Sequence, residues 1–278
     1  MSNSLVISNV EKSFAKKQVL NHISCELISG VYAILGPNGT GKTTLMRCIA
    51  GLYNYKGIIE YNGKNTKKKR VNIGYLPQQF GVFPELTVAE MMEYFCNLKG
   101  IPKKNRKDII EESLAKVNLL DEKNKKTKKL SGGMVRRVGI AQAILGNPGI
   151  ILLDEPTAGL DPEERMRFKN IIGTLGKDSI VLISTHIVED VEACCSNIII
   201  VKDGKIIKNG TVKEVQEYAN NRVVEVDEEQ SIENNIMYVE KSVLRDGKKK
   251  IRVITKKEVA ESLEPTVEDG YLCMLKEN

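Results

Sequence analysis

The chain has no tryptophan and only five phenylalanines among 278 residues. Proteins that bind single strands without sequence preference lay the bases on aromatic side chains. Such a platform is not expected here, and neither is a nucleic-acid partner. No apolar run reaches the roughly 18 residues that a membrane span requires. The start, Met1-Ser2-Asn3-Ser4, lacks the basic region and apolar core of an export signal. The expectation is a soluble chain that depends on other polypeptides for any work at a membrane. Cys25, Cys48, Cys96, Cys194, Cys195 and Cys273 follow neither metal-ligand nor disulfide-framework spacing. Cys48 lies in an apolar helical run and reads as a small core residue, so a reducing cytosol is the expected compartment. Histidine is scarce, with only His22 and His186. Charge is only mildly one-sided: 42 basic against 36 acidic residues gives +6. Much of the excess sits in Lys67-Lys68-Lys69-Arg70, Lys123 to Lys129 and Lys248-Lys249-Lys250. Such runs read as solvated loops, with a nucleic-acid groove or an anionic lipid surface as the sharper alternative.

Against these absences stands Gly36-Pro37-Asn38-Gly39-Thr40-Gly41-Lys42-Thr43-Thr44, the Gly-x-x-x-x-Gly-Lys-Thr phosphate loop. It follows a short apolar strand, Val31 to Leu35, and precedes a helical run, Leu45 to Ala50, which is the context the motif needs. Glycines let backbone N–H groups turn inward around phosphate oxygens, and the next helix aims its positive end at the same anion. Lys42 then reaches the β- and γ-phosphates and the Thr43 hydroxyl helps hold Mg²⁺. A Gly-rich turn with a surface lysine is the plainer reading, and the flanking strand and helix speak against it.

Around this loop the chain alternates strand and helix. Residues 5–10 and 18–28 read as an antiparallel pair, with Phe14 in the loop between them. Phe14 alone is either core filler or a platform for a nucleobase. Gly57 to Tyr61 and Arg70 to Leu76 read as two more strands joined through the Asn62-Gly63 turn. The second runs into Pro77-Gln78-Gln79, which puts Gln78 at a strand's carboxyl end, where open α/β sheets place ligands. Thr87 with Glu90 predicts a capping box, with Leu86 and Met91 as its hydrophobic staple. Ile109 to Val117 predicts a second helix. Residues ~80–147 thus form a mostly helical insert.

The insert closes on Leu130-Ser131-Gly132-Gly133-Met134, followed by apolar residues at helical spacing. Ser131 is a natural N-cap and the glycines bare the first N–H groups. This is either a well-capped helix or a second anion site. Next, Ile150 to Leu153 is an unbroken apolar run ending in Asp154-Glu155, a buried parallel strand with acids at its carboxyl edge. Asp154 is placed to serve Mg²⁺ through a water, and Glu155 to accept a proton from an attacking water. Two solvated acids at a strand end is the plainer alternative. Asp161, Pro162 and Glu164 predict a helix start. Ser179 to Ser184 is a further buried strand that delivers His186. Asn197 to Lys202, Asp203-Gly204 and Lys205 to Ile207 form a hairpin.

In this order, the motifs resemble the ATP-binding cassette family, the nucleotide-binding subunits of ABC transporters, over residues ~5–215. Gly36 to Thr44 is similar to the Walker A loop, Gln78 to the Q-loop residue, Leu130 to Met134 to the signature and Ile150 to Glu155 to Walker B. Ala158 to Asp161 resembles the D-loop, and His186 the switch histidine. Met134 stands where glutamine is commoner, Ala158 where serine is commoner, and Gln79 doubles the glutamine; none of these departures removes a catalytic group.

The resemblance implies an α/β chain: a P-loop NTPase (RecA-like) core with an N-terminal antiparallel β subdomain and a helical insert bearing the signature, over residues 1–215. A small α+β appendage, residues 216–278, completes it. ATP and Mg²⁺ are the implied cofactors, with Thr43, Gln78 and Asp154 serving the metal and Phe14 stacking on adenine. Glu155, His186 and Gln78 serve catalysis. In this family two cassettes pair head to tail, so Ser131, Gly132, Gly133 and Asp161 contact a nucleotide held by the other chain. The partners implied are that second cassette and polytopic permease subunits on separate chains, which puts the chain peripherally on the cytoplasmic face of the cell membrane.

The tail reads as strands at Val223 to Val226, Met237 to Leu244 and Ile251 to Thr255. A hairpin turn is expected at Asp246-Gly247 and a short helix from Thr255 with Glu258. Its close, Glu264 to Leu272, resembles the end of cassette subunits of drug, antibiotic and ABC-2 type exporters. An exporter subunit is the expected function. The alternatives are a soluble cassette ATPase acting on the ribosome or DNA, whose relatives carry two cassettes, a coiled coil or a zinc module not visible here, and a non-hydrolysing regulator, against which Glu155 and His186 speak.

Overall fold

Period-two burial builds the first sheet. In strands β1 (Ser4–Phe14) and β2 (Lys17–Ile28), Leu5, Ile7, Val10, Leu20, Ile23 and Leu27 are buried, separated by more exposed neighbours. The computed structural model describes residues 3–68, 71–227, 236–245 and 248–277. β1 and β2 pair antiparallel from Ser4 opposite Ile28 to Phe14 opposite Lys17. Phe14 is therefore the last residue of β1 and not part of the connection, which shrinks to Ala15-Lys16. Ala15 takes a left-handed φ of 49° to close so short a turn.

Strand β3 (Gly30–Leu35) opens a second sheet, and helix α1 (Lys42–Ile49) follows it. β4 (Lys56–Tyr61) returns to pair with β1, and β5 (Lys64–Asn65) pairs with β4. The Asn62-Gly63 turn, with φ of 50° and 68°, thus joins β4 to the two-residue β5. The longer strand expected after it, β6 (Ile73–Leu76), belongs to the other sheet. Its expected start, Arg70, lies outside the described residues.

Three helices come next. α2 (Val88–Lys99) carries the complete capping box: Thr87 Oγ1 accepts from Glu90 N at 3.2 Å and Glu90 Oε2 accepts from Thr87 N at 2.7 Å. Gly100 ends it at φ 72°. α3 (Lys103–Lys116) begins a turn and a half earlier than its apolar pattern indicated, directly after Pro102. α4 (Gly132–Ile144) is capped by Ser131, whose Oγ accepts from Met134 N at 3.2 Å.

Strand and helix then alternate through β7 (Ile150–Asp154), α5 (Pro162–Leu175), β8 (Ile180–Thr185), α6 (Val188–Cys194) and β9 (Asn197–Lys202). The edge strand β10 (Lys205–Thr211) pairs antiparallel with β9 and leads into α7 (Val212–Glu217). The central sheet runs β10-β9-β3-β8-β7-β6, parallel from β9 to β6.

Both faces of that sheet are covered, and β7 and β8 are buried along their whole length. Ile150, Leu152, Ile180 and Leu182 join α1 and the antiparallel sheet in one apolar cluster. Their alternates Ile151, Leu153, Val181 and Ile183 pack on α2, α3, α4 and α5 in another. Lys99, at the end of α2, donates to Ala143 O at 3.4 Å and Leu145 O at 3.1 Å, supplying a cation to the carboxyl end of α4.

The tail forms a three-stranded antiparallel sheet in the order β11 (Val223–Asp227), β13 (Lys248–Thr255), β12 (Ile236–Arg245). Helix α8 (Val267–Glu277) follows. The Asp246-Gly247 turn lies outside the described residues. No helix starts at Thr255. It is the last residue of β13, its side chain is fully buried with the hydroxyl 3.1 Å from Arg222 O and 2.7 Å from Lys257 O, and the residues that follow it are not helical.

The helix begins instead at Thr266. Thr266 Oγ1 accepts from Asp269 N at 3.2 Å, and Asp269 Oδ2 accepts from Thr266 N at 2.7 Å and from Arg252 Nη2 at 2.7 Å. α8 lays Val267, Tyr271 and Met274 against Ala33, Leu35 and Val191 of the central unit. A Cβ on Gly270 would run into the Val215 carbonyl of α7. Alanine there gains about 1 kcal/mol in helix propensity, but overlap with rigid backbone costs about 1–3 kcal/mol. Gly270→Ala is expected to lower the thermal unfolding midpoint, and a raised midpoint would refute this close crossing.

Burial pushes the Lys99 ammonium down to about 8. Between there and its unfolded value near 10.4, the unfolded chain holds the extra proton, so stability rises with pH through that window. Urea midpoints at pH 7.5 and 9.5 are expected to rise more in the parent than in Lys99→Met.

Candidate functional site

The parallel register sets the site. Leu35 lies opposite Thr185, Asp154 opposite Ser184 and Leu76 opposite Leu153. The residues just past the four strand ends, Gly36, His186, Glu155 and Pro77, therefore emerge at one edge of the sheet, which is where such sheets bind ligands.

Gly36 lies so close to the Val201 carbonyl that no Cβ could be admitted. Gly41, at φ 107°, would place one 2.8 Å from Leu20 Cδ2 and 2.9 Å from Val19 O. The loop is thus fitted between β9 and β2, with its glycines required by close approach as well as by φ. Thr40 is buried and donates to Pro37 O at 2.9 Å. Lys42 is buried, and its Nζ donates to Gly36 O at 2.6 Å and Pro37 O at 2.9 Å. Burial lowers its pKa, against the opposing pull of Glu155 and Asp154.

At the end of β7, Asp154 is fully buried. Its Oδ1 accepts from Thr43 Oγ1 at 2.9 Å and Ser184 Oγ at 2.5 Å, and its Oδ2 from Tyr75 OH at 3.4 Å. Thr43 and Asp154, expected to share a metal, are in direct contact. No group of three or more acidic, histidine or cysteine side chains that could hold a metal occurs among the described residues. The oxygens this pair offers, with the Gln78 amide on the same cavity, suit a hard, oxygen-seeking cation such as Mg²⁺.

Glu155 follows at φ 47°, a strained value for a residue other than glycine, costing about 1–3 kcal/mol. Its N–H donates to Ser184 O at 3.1 Å and Ser184 Oγ at 2.9 Å. The carboxyl Oε1 lies 3.1 Å from His186 Nδ1. Glu155 is largely buried while the histidine side chain is 44% exposed, so the pair spans the wall and mouth of the site.

Phe14, Gln78, Glu155 and His186 come from four separate stretches. They line one cavity of about 580 Å³ with Asn38, Gly39, Gly41, Lys42, Thr43 and Thr44. Gly36, Pro37 and Thr40 stand behind that surface, shaping the loop and holding Lys42. The ring of Phe14 meets Tyr53 edge to face at 5.4 Å, and Lys12 Nζ lies 4.8 Å from its centroid.

Ser131, Gly132 and Asp161 do not reach this cavity. They are exposed at two helix starts, α4 and α5. The expected start of α5 is present, with Pro162 first in the helix and Asp161 accepting at 2.8 Å from the N–H of Glu164. The Glu164 carboxylate turns to Arg137 and Arg167 and packs against Gly133, where a Cβ would meet it at 2.6 Å.

Three contributors were not legible as site residues. Ser184 joins Asp154 to the Glu155 peptide. Thr157 Oγ1 donates to Asp190 Oδ2 at 2.5 Å, both buried, fixing the segment after Walker B to α6. Arg136 binds the carbonyls of Pro77, Gln78, Asp154, Glu155 and Pro156. Its only signal in the sequence is the doubled arginine in an otherwise apolar helix.

The family described as ABC transporter matches residues 20–158. The uncharacterised ABC transporter ATP-binding protein MJ1023 of Methanocaldococcus jannaschii is 34% identical over 77% of this chain and 80% of its own. The Nod factor export ATP-binding protein I of Burkholderia lata is 33% identical over 73% and 69%. A solved structure described as the ATP binding subunit of an ABC transporter has the same fold. Its TM-score is 0.67 at 24% identity, covering 77% of this chain and 92% of that one. With the phosphate loop, the paired acids and the serine-capped signature helix in place, the chain belongs to the ABC transporter family as an ATP-binding, ATP-hydrolysing subunit.

Proposed function

We propose that this subunit powers export through separate membrane chains, working as one half of a head-to-tail pair of cassettes. The observation that carries this reading is the separation of two anion-binding features. Lys42, Thr43, Glu155 and His186 meet at one cavity, whereas Ser131 and Gly132 stand exposed at the start of α4, away from it. A helix start that cannot serve its own chain's site is suited to a nucleotide held by another. Export draws support from the Nod factor export relative and from the Glu264 to Leu272 close. No helix among the described residues is long and apolar enough to cross a membrane, which agrees with a peripheral subunit on permease partners.

In this reading Phe14, exposed and on the cavity's lining, receives the adenine. Residues 36–44 enclose the phosphates, with the Lys42 ammonium released from its own loop's carbonyls to the β- and γ-phosphate oxygens. Thr43, Asp154 and Gln78 would hold Mg²⁺, which would supply charge neutralisation to the phosphates. Glu155 takes a proton from the attacking water. His186, hydrogen-bonded to that carboxylate, orients it. Ser131 and Gly133 of the partner's α4, with Asp161 beside them, close over the γ-phosphate. Two positive helix ends repel until a polyphosphate lies between them, so ATP shuts the pair and hydrolysis lets it reopen.

Lys42→Ala is expected to abolish ATP binding or turnover, measured by equilibrium binding and phosphate release. Turnover at the parent rate would remove the lysine from its assigned role. Glu155→Gln is expected to bind ATP at parent affinity, hydrolyse at least about a hundredfold more slowly and elute as a stable dimer with ATP. Should it hydrolyse at the parent rate, Glu155 is not the base. Should it stay monomeric with ATP, alone and with its permease, the head-to-tail reading fails.

A further inference from the structure

We infer that Arg136 is a positioning residue that ties the signature helix to the hydrolytic carboxylate of its own subunit. The inference rests on the proposed role of Glu155 and extends it. A guanidinium carries five N–H donors in a rigid fork. Here it meets five carbonyl oxygens. Nε donates to Pro156 O at 2.9 Å, Nη1 to Pro77 O at 3.2 Å and Gln78 O at 3.0 Å, and Nη2 to Asp154 O at 3.0 Å and Glu155 O at 2.5 Å. One side chain therefore gathers the peptide groups of the Q-loop and of the segment from Asp154 to Pro156. No other side chain among the described residues bonds to both segments in this way.

The location gives the contacts their consequence. Arg136 stands five residues after Ser131 on the same helix, a little over one turn from the exposed residues that face a partner's nucleotide. Its far end holds the carbonyl of Glu155, the residue strained at φ 47°. The Glu155 N–H is pinned from the other side by Ser184. The orientation of the Glu155 peptide, and with it the aim of the carboxylate, is thus fixed between β8 and α4. A shift of α4 on closing over the partner's nucleotide is carried by a stiff helix and a five-point fork to the Glu155 backbone and to Gln78.

Burial lowers the pKa of Arg136, while Asp154 and Glu155 oppose that shift. Lysine has a point charge and three donors in place of the planar fork, so it cannot reproduce the pattern.

The test compares Arg136→Gln, Arg136→Lys, Glu155→Gln and Arg136→Gln/Glu155→Gln in the full chain with its permease. Arg136→Gln is expected to keep ATP affinity within about twofold while kcat falls roughly ten- to a hundredfold, the scale of a misplaced catalytic group. Arg136→Lys is expected to restore little of it. The double variant is expected to be no slower than Glu155→Gln alone, because a residue acting through Glu155 has nothing left to position. The inference is overturned if Arg136→Gln turns over at the parent rate, if its loss appears equally in ATP affinity or in the thermal unfolding midpoint, or if the two defects multiply in the double variant. The single Glu155→Gln variant separately reads the base assignment: at the parent rate it removes that role from Glu155, whatever Arg136 does.

Discussion

A carboxyl group with no exposure to solvent can stay in a folded protein only when its oxygens are hydrogen-bonded. Asp154 meets that demand with three hydroxyls from three other elements: Thr43 from α1, Ser184 from β8 and Tyr75 from β6. Each hydroxyl could be satisfied by water elsewhere, but the buried acid cannot. The acid therefore sets the relative placement of four elements. If β8 slipped by one residue against β7, Ser184 would face the opposite side of the sheet and the carboxyl would lose its shortest bond. The same slip would carry His186 away from Glu155. Register, the Thr43–Asp154 contact and the Glu155–His186 contact are consequences of one buried group, and the apolar clusters on either face of the sheet hold that register.

Neighbouring Glu155 is under the opposite demand. It must aim its carboxyl end into a solvent-reaching cavity from the end of a buried strand, and the chain turns it out through a left-handed φ. Such strain persists only where the surroundings over-determine the conformation. The surroundings are Ser184 on the amide side and Arg136 on the carbonyl side. Ser184 thus serves both demands, one through its hydroxyl hydrogen and one through its oxygen, and its burial is explained by that double use.

The Walker loop, the acids, the serine cap of α4 and the capping box of α2 were legible because each chemistry depends on residue type at fixed spacing along one segment. The alternation in β1 and β2 and the continuous apolar runs of β7 and β8 foretold those strands for the same reason. What failed depended on partners far along the chain. Thr255 and Glu258 have the spacing of a cap, but Thr255 is held at the end of β13, its N–H donating to Arg222 O at 2.8 Å, and the helix starts at Thr266 instead. β6 follows β4 in sequence and could not be assigned to a different sheet by pattern alone. Arg136 was invisible as a site residue, since nothing local to a helix foretells five carbonyls from two distant loops.

Helix α4 is the element on which these long-range contacts converge. Its first turn is exposed, with Ser131 and Gly132 at the surface, while its second turn holds the Q-loop and the Glu155 peptide through Arg136. Its last carbonyls are capped by Lys99 from α2, beside a cavity of about 690 Å³ that Phe95, Leu98 and Lys99 help to line. A thirteen-residue helix buried from Arg137 onward is stiff over that length. A displacement imposed at either end therefore cannot be absorbed within it and must be taken up by the contacts at the other. Beside its apolar packing, the hydrogen bonds that α4 makes through Arg136, Arg137 and Gln142 run mostly to backbone carbonyls; they are directional and yield by breaking. Smooth sliding is not available to them. On the coupling inferred for Arg136, movement at the surface would change which carbonyls are held, and two of those carbonyls belong to Asp154 and Glu155.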